Sequence, residues 1–395
     1  MSFAFPSLAL QPDLNVRVFP AGSIASLRAA ARWAELPRAE ETGARNVLLE
    51  APGPALAAAL TDAVQRSEVD AWRHEARFWL SGSRAHLFDL AGMLLGGDAA
   101  RVGAELRAAL SAHEAARRPA EAALVMGILN VTPDSFSDGG RWLDPAAAVD
   151  RALEMVGQGA GVIDVGGEST RPGAREIPVE EELRRVLPVV EALREVTNAL
   201  ISIDTRKAGV AQACLDAGAD WVNDVSGLRH DPGLAGVVAA RPGTRLVLMH
   251  SLRPPGEDRY STEYDPEGRP AYEDVVSDTL RWLRRQALIA AEAGVPPDAL
   301  WIDPGFGFGK TYEQNLDLLR RVGEYTSAGL PVLVGTSRKS SVGKMVGDLP
   351  PEERLEGTAA TVAWAVAAGA AAVRVHDVRE IARVVRAIDT LRRDG

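Results

Sequence analysis

Eight short apolar runs recur between Leu124 and His376, and each is followed by a segment with helical periodicity. The runs are LVMGIL, GVIDVG, ALISID, DWVNDV, TRLVLM, ALWIDPG, PVLVG and AAVRVH. After the first run, DPAAAVDRALEMVGQG offers Asp144 as a helix cap, Pro145 in the first turn and apolar residues along one face. Near-continuous apolar strands of this kind are typical of parallel sheets that are buried on both faces.

Strand followed by helix, repeated eight times, predicts an α/β fold with a (β/α)8 TIM barrel over residues 119–395. An open doubly wound sheet is the alternative, but it gives no reason for the repeat to stop at eight units. The charged segment ARRPAE separates this region from residues 1–118. Strand-like pieces such as NVRVFP and helix-like pieces such as SIASLRAAARWAEL predict a small α/β N-terminal domain of unknown role there.

Charge and composition restrict the class of partner. The chain has 395 residues and a formal net charge of -10, which argues against nucleic acid or an anionic membrane as a general partner. Its one cysteine, Cys214, excludes an intrachain disulfide and is interpreted as a buried small hydrophobe. No basic leader and no apolar run of membrane-spanning length is visible, so we predict a soluble cytoplasmic protein.

Every predicted strand ends on polar residues. Strand ends favour caps and turns, which could explain any one of them, but in barrels of this type all carboxyl ends meet at the rim where the chemistry occurs. The loop NVTPDSFSDGG is the first of these ends, and it is long enough to fold over a ligand. The candidate rim residues are Asn130, Glu168, Ser169, Thr170, Arg171, Asp204, Asn223, Asp224, His250, Asp303, Ser337, Arg338, Lys339, Arg374, His376 and Asp377.

Lysine is rare in this chain. Only four occur, at positions 207, 310, 339 and 344, and all follow a predicted barrel strand. A retained lysine can mark a place that needs a compact ammonium group. We expect this of Lys339, which stands at the head of a predicted helix, whereas surface exposure is an adequate explanation for the other three.

The motifs MGILNVTPDSFSDGG, GGESTRPGA, NDVSG, IDPGFGFGKT, GTSRKS and RVHDV occur in this order between residues about 122 and 391. In these segments the chain resembles dihydropteroate synthase, the folate-pathway enzyme that sulfonamides inhibit. The resemblance implies condensation of 6-hydroxymethyl-7,8-dihydropterin pyrophosphate with p-aminobenzoate, which gives 7,8-dihydropteroate and pyrophosphate. It also implies a barrel that is usually a homodimer.

A pterin is flat and presents a row of ring donors and acceptors, so its recognition requires buried carboxylates and amides. By resemblance, Asp303 meets the exocyclic amine and ring N–H, while Asp204 and Asn223 bind the rest of the polar edge. Lys339 approaches the carbonyl side and neutralises carboxylate charge. Two further residues, Phe308 and Met249, wall the cavity. Taken alone, Asp303 could equally be a cap ahead of the Gly-rich loop.

Departure of pyrophosphate requires positive charge and hydrogen-bond donors. Arg374 and His376 alternate along the last strand, so they share a face and can converge on one phosphate group. Asn130 has a suitable oxygen for Mg²⁺, the implied cofactor, which would also bind pyrophosphate oxygens and water. These residues and Lys339 form the predicted catalytic set.

The p-aminobenzoate site comes from the loops by resemblance. Thr170, Arg171 and Pro172, with Phe136 of the first loop, would cover the ring. Ser337 and the helix-opening amides after it would bind the carboxylate. The alternative for Arg171 is to order this loop by pairing with Glu168.

Two parts of the chain depart from the family pattern. The fifth loop reads SLRPPGEDRYSTEYDPEGRPAYEDVV, longer and more charged than usual, so the resemblance does not extend to its contacts and we expect His250 to lie behind the site. Residues 1–118 match no part of the usual enzyme. A methyltetrahydrofolate:corrinoid methyltransferase and a non-catalytic pterin-binding protein are the alternatives, but neither needs the pyrophosphate residues Asn130, Arg374 and His376.

Overall fold

A computed structural model describes residues 15–19, 45–50, 54–74, 77–94, 99–117, 121–132, 145–265 and 267–393. The N-terminal part holds a four-stranded sheet of order β1-β2-β4-β3 whose neighbours are all antiparallel. Its apolar residues, among them Val18, Val47 and Leu80, are completely buried in a core of their own. Its elements are β1 (Asn15–Phe19), β2 (Arg45–Glu50), α1 (Pro54–Gln65), β3 (Asp70–His74), β4 (Arg77–Gly82), α2 (Arg84–Met93) and α3 (Ala100–Arg117).

The second part confirms the predicted barrel. Its eight strands are parallel and follow the order β10-β9-β8-β7-β6-β5-β12-β11. A parallel bridge between Ile302 and Val332 joins the two ends of this order, so the open sheet is wrong. The strands are β5 (Leu124–Asn130), β6 (Val162–Gly166), β7 (Leu200–Asp204), β8 (Trp221–Asp224), β9 (Arg245–Met249), β10 (Leu300–Asp303), β11 (Leu333–Val334) and β12 (Ala372–Val375).

Helices surround the strands, as the periodicity predicts. Their apolar faces pack on the outward-facing strand residues in one continuous core. No helix in the described part of the chain has both the length and the apolar character to cross a membrane. The helices are α4 (Pro145–Gln158), α5 (Val179–Val196), α6 (Ala208–Asp216), α7 (Gly233–Ala239), α8 (Val275–Glu292), α9 (Tyr312–Arg320), α10 (Ser340–Met345), α11 (Leu355–Ala367) and α12 (Val378–Arg393).

Alternation along each strand explains how the barrel interior becomes a site. Successive side chains point to opposite faces, so every second residue faces inward. Near the amino ends these inward residues are apolar and form a small cluster that includes Trp221 and Trp301. Two residues further along the same strands stand Asn223 and Asp303. The strand pattern therefore gives a packed apolar base under a polar rim.

The N-terminal sheet packs against the barrel through buried charge. Arg17 of β1 reaches the barrel, and Val18 donates its backbone N–H to the Ser327 hydroxyl at 2.9 Å. Further along, Glu105 of α3 pairs with Arg284 of α8, and both side chains are almost fully buried. Since α3 ends at Arg117 and β5 begins at Leu124, the predicted boundary lies between them. The division into domains 1–118 and 119–395 stays a prediction.

We predict that Trp301→Ala destabilises the barrel by about 3–5 kcal/mol, because it leaves a cavity that the strands cannot close. The Trp301 ring is fully buried and its centroid lies 4.7 Å from that of Trp221. Urea unfolding measures the change. The control Val196→Ala removes methyl groups from a side chain that is 55% exposed. Equal unfolding midpoints for the two variants would contradict the packing of this layer.

Candidate active site

An arginine held between two carboxylates forms the floor of the site. Arg374 of β12 donates through Nε to Asp164 Oδ2 at 2.6 Å and through Nη2 to Asp204 Oδ2 at 2.7 Å. Asn223 donates from Nδ2 to the same Asp164 oxygen at 3.1 Å. Four strands, β6, β7, β8 and β12, supply these groups from their inward faces. The second oxygens of Asp164 and Asp204 are buried and have no hydrogen-bond partner in the described residues, so acceptors remain for a ligand.

The charge state of Asp204 in this floor depends on its burial and on its charged neighbours. Burial raises the pKa of Asp204 to about 7, Arg374 opposes the rise, and the neighbouring carboxylate of Asp164 adds to it. The nearby Asn130 ends β5, and a Cβ built on Gly166 would lie 3.4 Å from its Oδ1 and 3.7 Å from Asp204 Oδ2. The predicted residues Asn130, Asp204, Asn223 and Arg374 therefore meet on one side of the rim.

A second pair of oppositely charged groups consists of Asp303, at the end of β10, and Lys339, which follows β11. Asp303 is paired in register with Met249, and both side chains are buried. Lys339 donates to the Phe306 carbonyl, and its ammonium nitrogen lies 4.6 Å from the centre of the Phe308 ring. Burial lowers the pKa of Lys339 to about 8 against the attraction of Asp303. Burial also raises the pKa of Asp303, which Lys339 opposes.

The Gly-rich loop that follows β10 is tightly folded. Asp303 Oδ1 accepts the backbone N–H of Gly305 at 2.7 Å, which confirms the capping role and leaves Oδ2 for the predicted binding role. Gly305 has φ of 71°. A Cβ there would lie only 1.8 Å from the His250 carbonyl oxygen. Only glycine can occupy this position without moving the fifth loop.

The His376 ring is prepared as a neutral donor. Burial, together with the positive charges of Arg374 and Arg338, lowers the pKa of His376 to about 3. The Ser337 hydroxyl accepts the His376 backbone N–H at 3.2 Å and lies 3.0 Å from ring Nδ1. Because the hydroxyl already accepts one bond, it can donate its proton to Nδ1, which leaves the ring proton on Nε2. The predicted rim residue Arg338 forms an ion pair with Asp377.

The second loop is closed on itself by Glu168. Its Oε1 accepts the Ile177 N–H at 3.1 Å, across the loop that carries Thr170, Arg171 and Pro172. Arg206 and Lys207 also bind this carboxylate, so the alternative of Arg171 as the Glu168 partner finds no support in the ion pairs of the described residues. Thr170 and Pro172 are half-buried and Arg171 is exposed. Phe136 lies outside the described residues.

Other predicted rim residues serve the loops. Asp224 accepts the N–H groups of Ser226 and Leu228 at 2.8 Å and 2.6 Å. It therefore stabilises its own turn, which is the structural role expected of an Asp at a strand end. His250 lies behind the site, where its ring contacts Trp282 edge-on at 4.9 Å. Asp164 belongs to the floor of the site but was not among the candidate rim residues. Its signal was the acid inside the apolar run GVIDVG, two residues before the strand end.

The explanation of surface exposure is wrong for two lysines. Lys207 is 4% exposed and bridges Glu168 and Glu182, because the second loop encloses buried carboxylates that need a cation. Lys310 is fully buried, and its ammonium donates to the carbonyl oxygens of Gly305 and Phe308 at 3.0 and 2.9 Å. It also contacts His250 Nδ1 at 3.0 Å. Lys310 thus ties the Gly-rich loop to the fifth loop.

The predicted Mg²⁺ ligand Asn130 stands at the rim, at the end of β5. Asn130 makes no side-chain hydrogen bond within the described residues, so its amide oxygen is free to act as a hard ligand. No cluster of three or more His, Cys, Asp or Glu side chains suited to a metal occurs in that part of the chain. The Asn130 amide oxygen is a ligand type that Mg²⁺ accepts, and the Mg²⁺ requirement stays a prediction.

We predict that Lys310→Met destabilises the fold by about 2–4 kcal/mol, because several buried carbonyl groups lose their donor. Thermal unfolding and hydrogen exchange in residues 304–310 measure the effect. The control Lys344→Met changes an exposed lysine whose ammonium lies 4.5 Å from the Tyr312 ring centre. Unchanged exchange in the Gly-rich loop of Lys310→Met would show that Lys310 does not hold it.

Comparison with known proteins agrees with this geometry. Residues 126–376 match the family described as pterin binding enzyme. Dihydropteroate synthase of Bacillus subtilis (strain 168) is 45% identical over 275 residues, which cover 70% of this chain and 90% of that enzyme.

Two solved structures show the same barrel. The Xanthomonas albilineans dihydropteroate synthase with 4-aminobenzoic acid has a TM-score of 0.62 at 42% identity, covering 69% of this chain and 93% of that one. The Yersinia pestis dihydropteroate synthase with a sulfonamide drug complex has a TM-score of 0.63 at 40% identity, covering 69% of this chain and 94% of that one. The similar region is thus the barrel.

Proposed function

Because this chain belongs to the pterin-binding enzyme family as a dihydropteroate synthase, we propose that its rim residues act as follows on 6-hydroxymethyl-7,8-dihydropterin pyrophosphate and p-aminobenzoate. The reaction joins the aniline nitrogen to the exocyclic methylene carbon and releases pyrophosphate. The observation that carries the assignment is the meeting of Asp204, Asn223, Asp303, Lys339 and Arg374 on one rim. Of these residues, Asp204, Asn223, Asp303 and Lys339 bind the pterin, and Arg374 binds the pyrophosphate.

The carboxylates divide the polar edge of the pterin between them. Asp303 keeps one oxygen on Gly305 and offers the other to ring donors. The second oxygens of Asp204 and Asp164, which have no partner in the described residues, accept from the opposite part of the edge. Lys339 donates to the ring carbonyl. Buried acceptors of this kind reject ring systems that lack the matching donors, since each unmatched group costs about 1–3 kcal/mol.

Pyrophosphate leaves next to Arg374 and His376. Cleavage of the bond to the methylene carbon runs ahead of attack, because the electron-rich dihydropterin delocalises the developing cation. Neutral His376 donates its Nε2 proton as a hydrogen bond to a phosphate oxygen, and Arg374 supplies positive charge. Mg²⁺, when bound, supplies further positive charge at the phosphate oxygens, and Asn130 would hold it. A donor of this type is worth roughly 3 kcal/mol in a transition state.

The second loop receives p-aminobenzoate. Thr170, Arg171 and Pro172 cover the ring, and Ser337 binds the carboxylate through its backbone N–H near the start of α10, because its hydroxyl proton is donated to His376 Nδ1. The role of Phe136 stays a prediction. A sulfonamide has the same ring and an anionic end, so it occupies the same place. The aniline nitrogen needs no strong base, because it adds to a cationic carbon.

We infer a homodimer from the outer face of α11. Beyond Glu356 in the first turn, the exposed stripe of this helix is apolar and comprises Ala360, Trp364 and Ala367. The Trp364 ring is 56% exposed, which is unusual for so large an apolar group. A second copy that packs its own α11 against this stripe would cover it. The cytoplasmic location stays a prediction.

The reaction is tested by mixing the purified full chain with Mg²⁺, the pterin pyrophosphate and radiolabelled p-aminobenzoate. Labelled dihydropteroate is expected, and a sulfonamide should suppress it. A chelator arm tests the Mg²⁺ requirement, and Asn130→Ala should raise the Mg²⁺ concentration needed for half-maximal rate. Absence of product with both substrates saturating would refute the assignment.

We predict that pterin binding weakens as the pH falls below about 7. The pKa of Asp204 is raised to about 7, so its carboxylate form, which accepts pterin N–H groups, is lost on the acid side. Calorimetric titration at pH values on either side of this pKa measures the change. Asp204→Asn should bind more weakly at the higher pH and lose most of the dependence. An unaltered acid limb in that variant would assign the titration to another group.

We predict that Trp364→Glu converts the dimer into a 42.0 kDa monomer, because two added charges would face each other across the stripe. Light scattering after size exclusion measures the mass. The control Leu391→Glu introduces the same charge at a side chain that is 73% exposed on α12. A mass that is the same for wild type and Trp364→Glu would remove α11 from the interface.

A further inference from the structure

We propose that the N-terminal part of the chain sets the shape of the pterin pocket, and that Arg17 is the positioning residue through which it acts. This inference rests on the proposed function of the rim. It assigns a role in the reaction to a segment that lies outside the region shared with the family. The route runs from Arg17 through the fifth loop to the Gly-rich loop.

The route begins at a docking cluster formed by Arg17, Asp274, Arg321 and Glu324. Arg17 Nη1 lies 3.4 Å from Asp274 Oδ1 and 3.3 Å from Glu324 Oε2. Arg321 binds the same two carboxylates, at 2.7 Å from Asp274 and 2.6 Å from Glu324. The Arg17, Arg321 and Glu324 side chains are at most 5% exposed. Two cations and two anions thus neutralise one another in a largely buried place. Removal of one leaves an uncompensated buried charge, which destabilises the fold.

Asp274 places this cluster at the end of the fifth loop. It caps α8 by accepting the Ser277 N–H at 2.8 Å. Although burial opposes the shift, the charges of Arg321 and Arg17 hold the pKa of Asp274 well below its ordinary value. The loop therefore ends on a carboxylate whose position is fixed partly by a residue of β1.

The fifth loop forms hydrogen bonds with both the carbonyl and the N–H group of Gly309. The Tyr272 hydroxyl, two residues before Asp274, donates to the Gly309 carbonyl at 2.9 Å. The Gly309 N–H donates to Asp258 Oδ2 at 2.9 Å. The contact leaves no space, because a Cβ on Gly309 would lie 2.4 Å from the Cβ of Leu252. A shift of the fifth loop must therefore move the Gly-rich loop.

The Gly-rich loop carries the groups that shape the pterin pocket. Phe308 precedes Gly309 and lies under the Lys339 ammonium, and Lys310 follows it. Asp303 is bonded to Gly305 at the start of the same loop. Displacement at Gly309 consequently changes the spacing between Phe308, Lys339 and Asp303. We expect this to weaken binding of the pterin more than it slows the chemistry.

The test compares two variants that each break a buried contact between the N-terminal part and the barrel. Arg17→Met removes a member of the docking cluster. Glu105→Gln breaks the pair with Arg284, which lies further along α8, away from the Asp274 cap. Both should lower the melting temperature. Only Arg17→Met should raise the KM for the pterin pyrophosphate, by about five- to tenfold, with kcat within about twofold of wild type.

Tyr272→Phe tests the next step of the route. It removes only the hydroxyl that holds Gly309, and it should raise the same KM. The double variant with Arg17→Met should be no worse than the more severe single variant, because both act through one contact. If Arg17→Met does not yield folded protein, Arg17→Lys, which keeps the charge but loses the fork, is measured in its place and should show a smaller rise.

The outcomes separate this inference from the assigned reaction. A wild-type chain without product would overturn the reaction itself. An active wild type with equal pterin KM values for Arg17→Met and Glu105→Gln would overturn the inference alone, since the N-terminal part would then contribute stability only. Additive effects of Arg17→Met and Tyr272→Phe would also contradict the route.

Discussion

The contact of Arg374 with Asp164 and Asp204 is the interaction on which the site depends. Two carboxylates this close cannot both stay charged in a buried place without a cation between them. Arg374 supplies it from β12, which pairs with β5, so that only β5 separates β12 from β6 in the sheet. The strand order therefore places the cation beside the two carboxylates that form the floor.

Much of this arrangement follows from the sequence, because strand periodicity decides which residues face inward. The final inward positions of β7, β8 and β10 place Asp204, Asn223 and Asp303 on the rim, as predicted. Asp164 was missed because its position within the apolar run gave no sign that a cation from β12 would meet it. The burial of Lys207 and Lys310 was likewise not predictable, since Lys207 pairs with Glu182 of α5 and Lys310 contacts His250 of the fifth loop, both distant in sequence.

The number of protein acceptors around each ammonium group separates the roles of Lys310 and Lys339. Lys310 is surrounded by carbonyl oxygens and organises backbone, whereas Lys339 lies over an aromatic ring and beside Asp303. Lys339 keeps a direction open toward a ligand, and the described contacts of Lys310 fill its directions with protein. Two lysines that look alike in the sequence thus serve different purposes, because an ammonium has three donors and its environment decides how many remain.

The two departures from the family pattern are physically one feature. The fifth loop is long and charged, and it ends at Asp274, where β1 of the N-terminal part supplies Arg17. A longer loop has more conformations to lose, so it needs additional contacts if it is to hold Gly309 in place. The docking cluster provides such contacts at one end of the loop, and Lys310 and His250 provide them at the other. A loop of this length and the segment that anchors it are therefore expected to be retained or lost together.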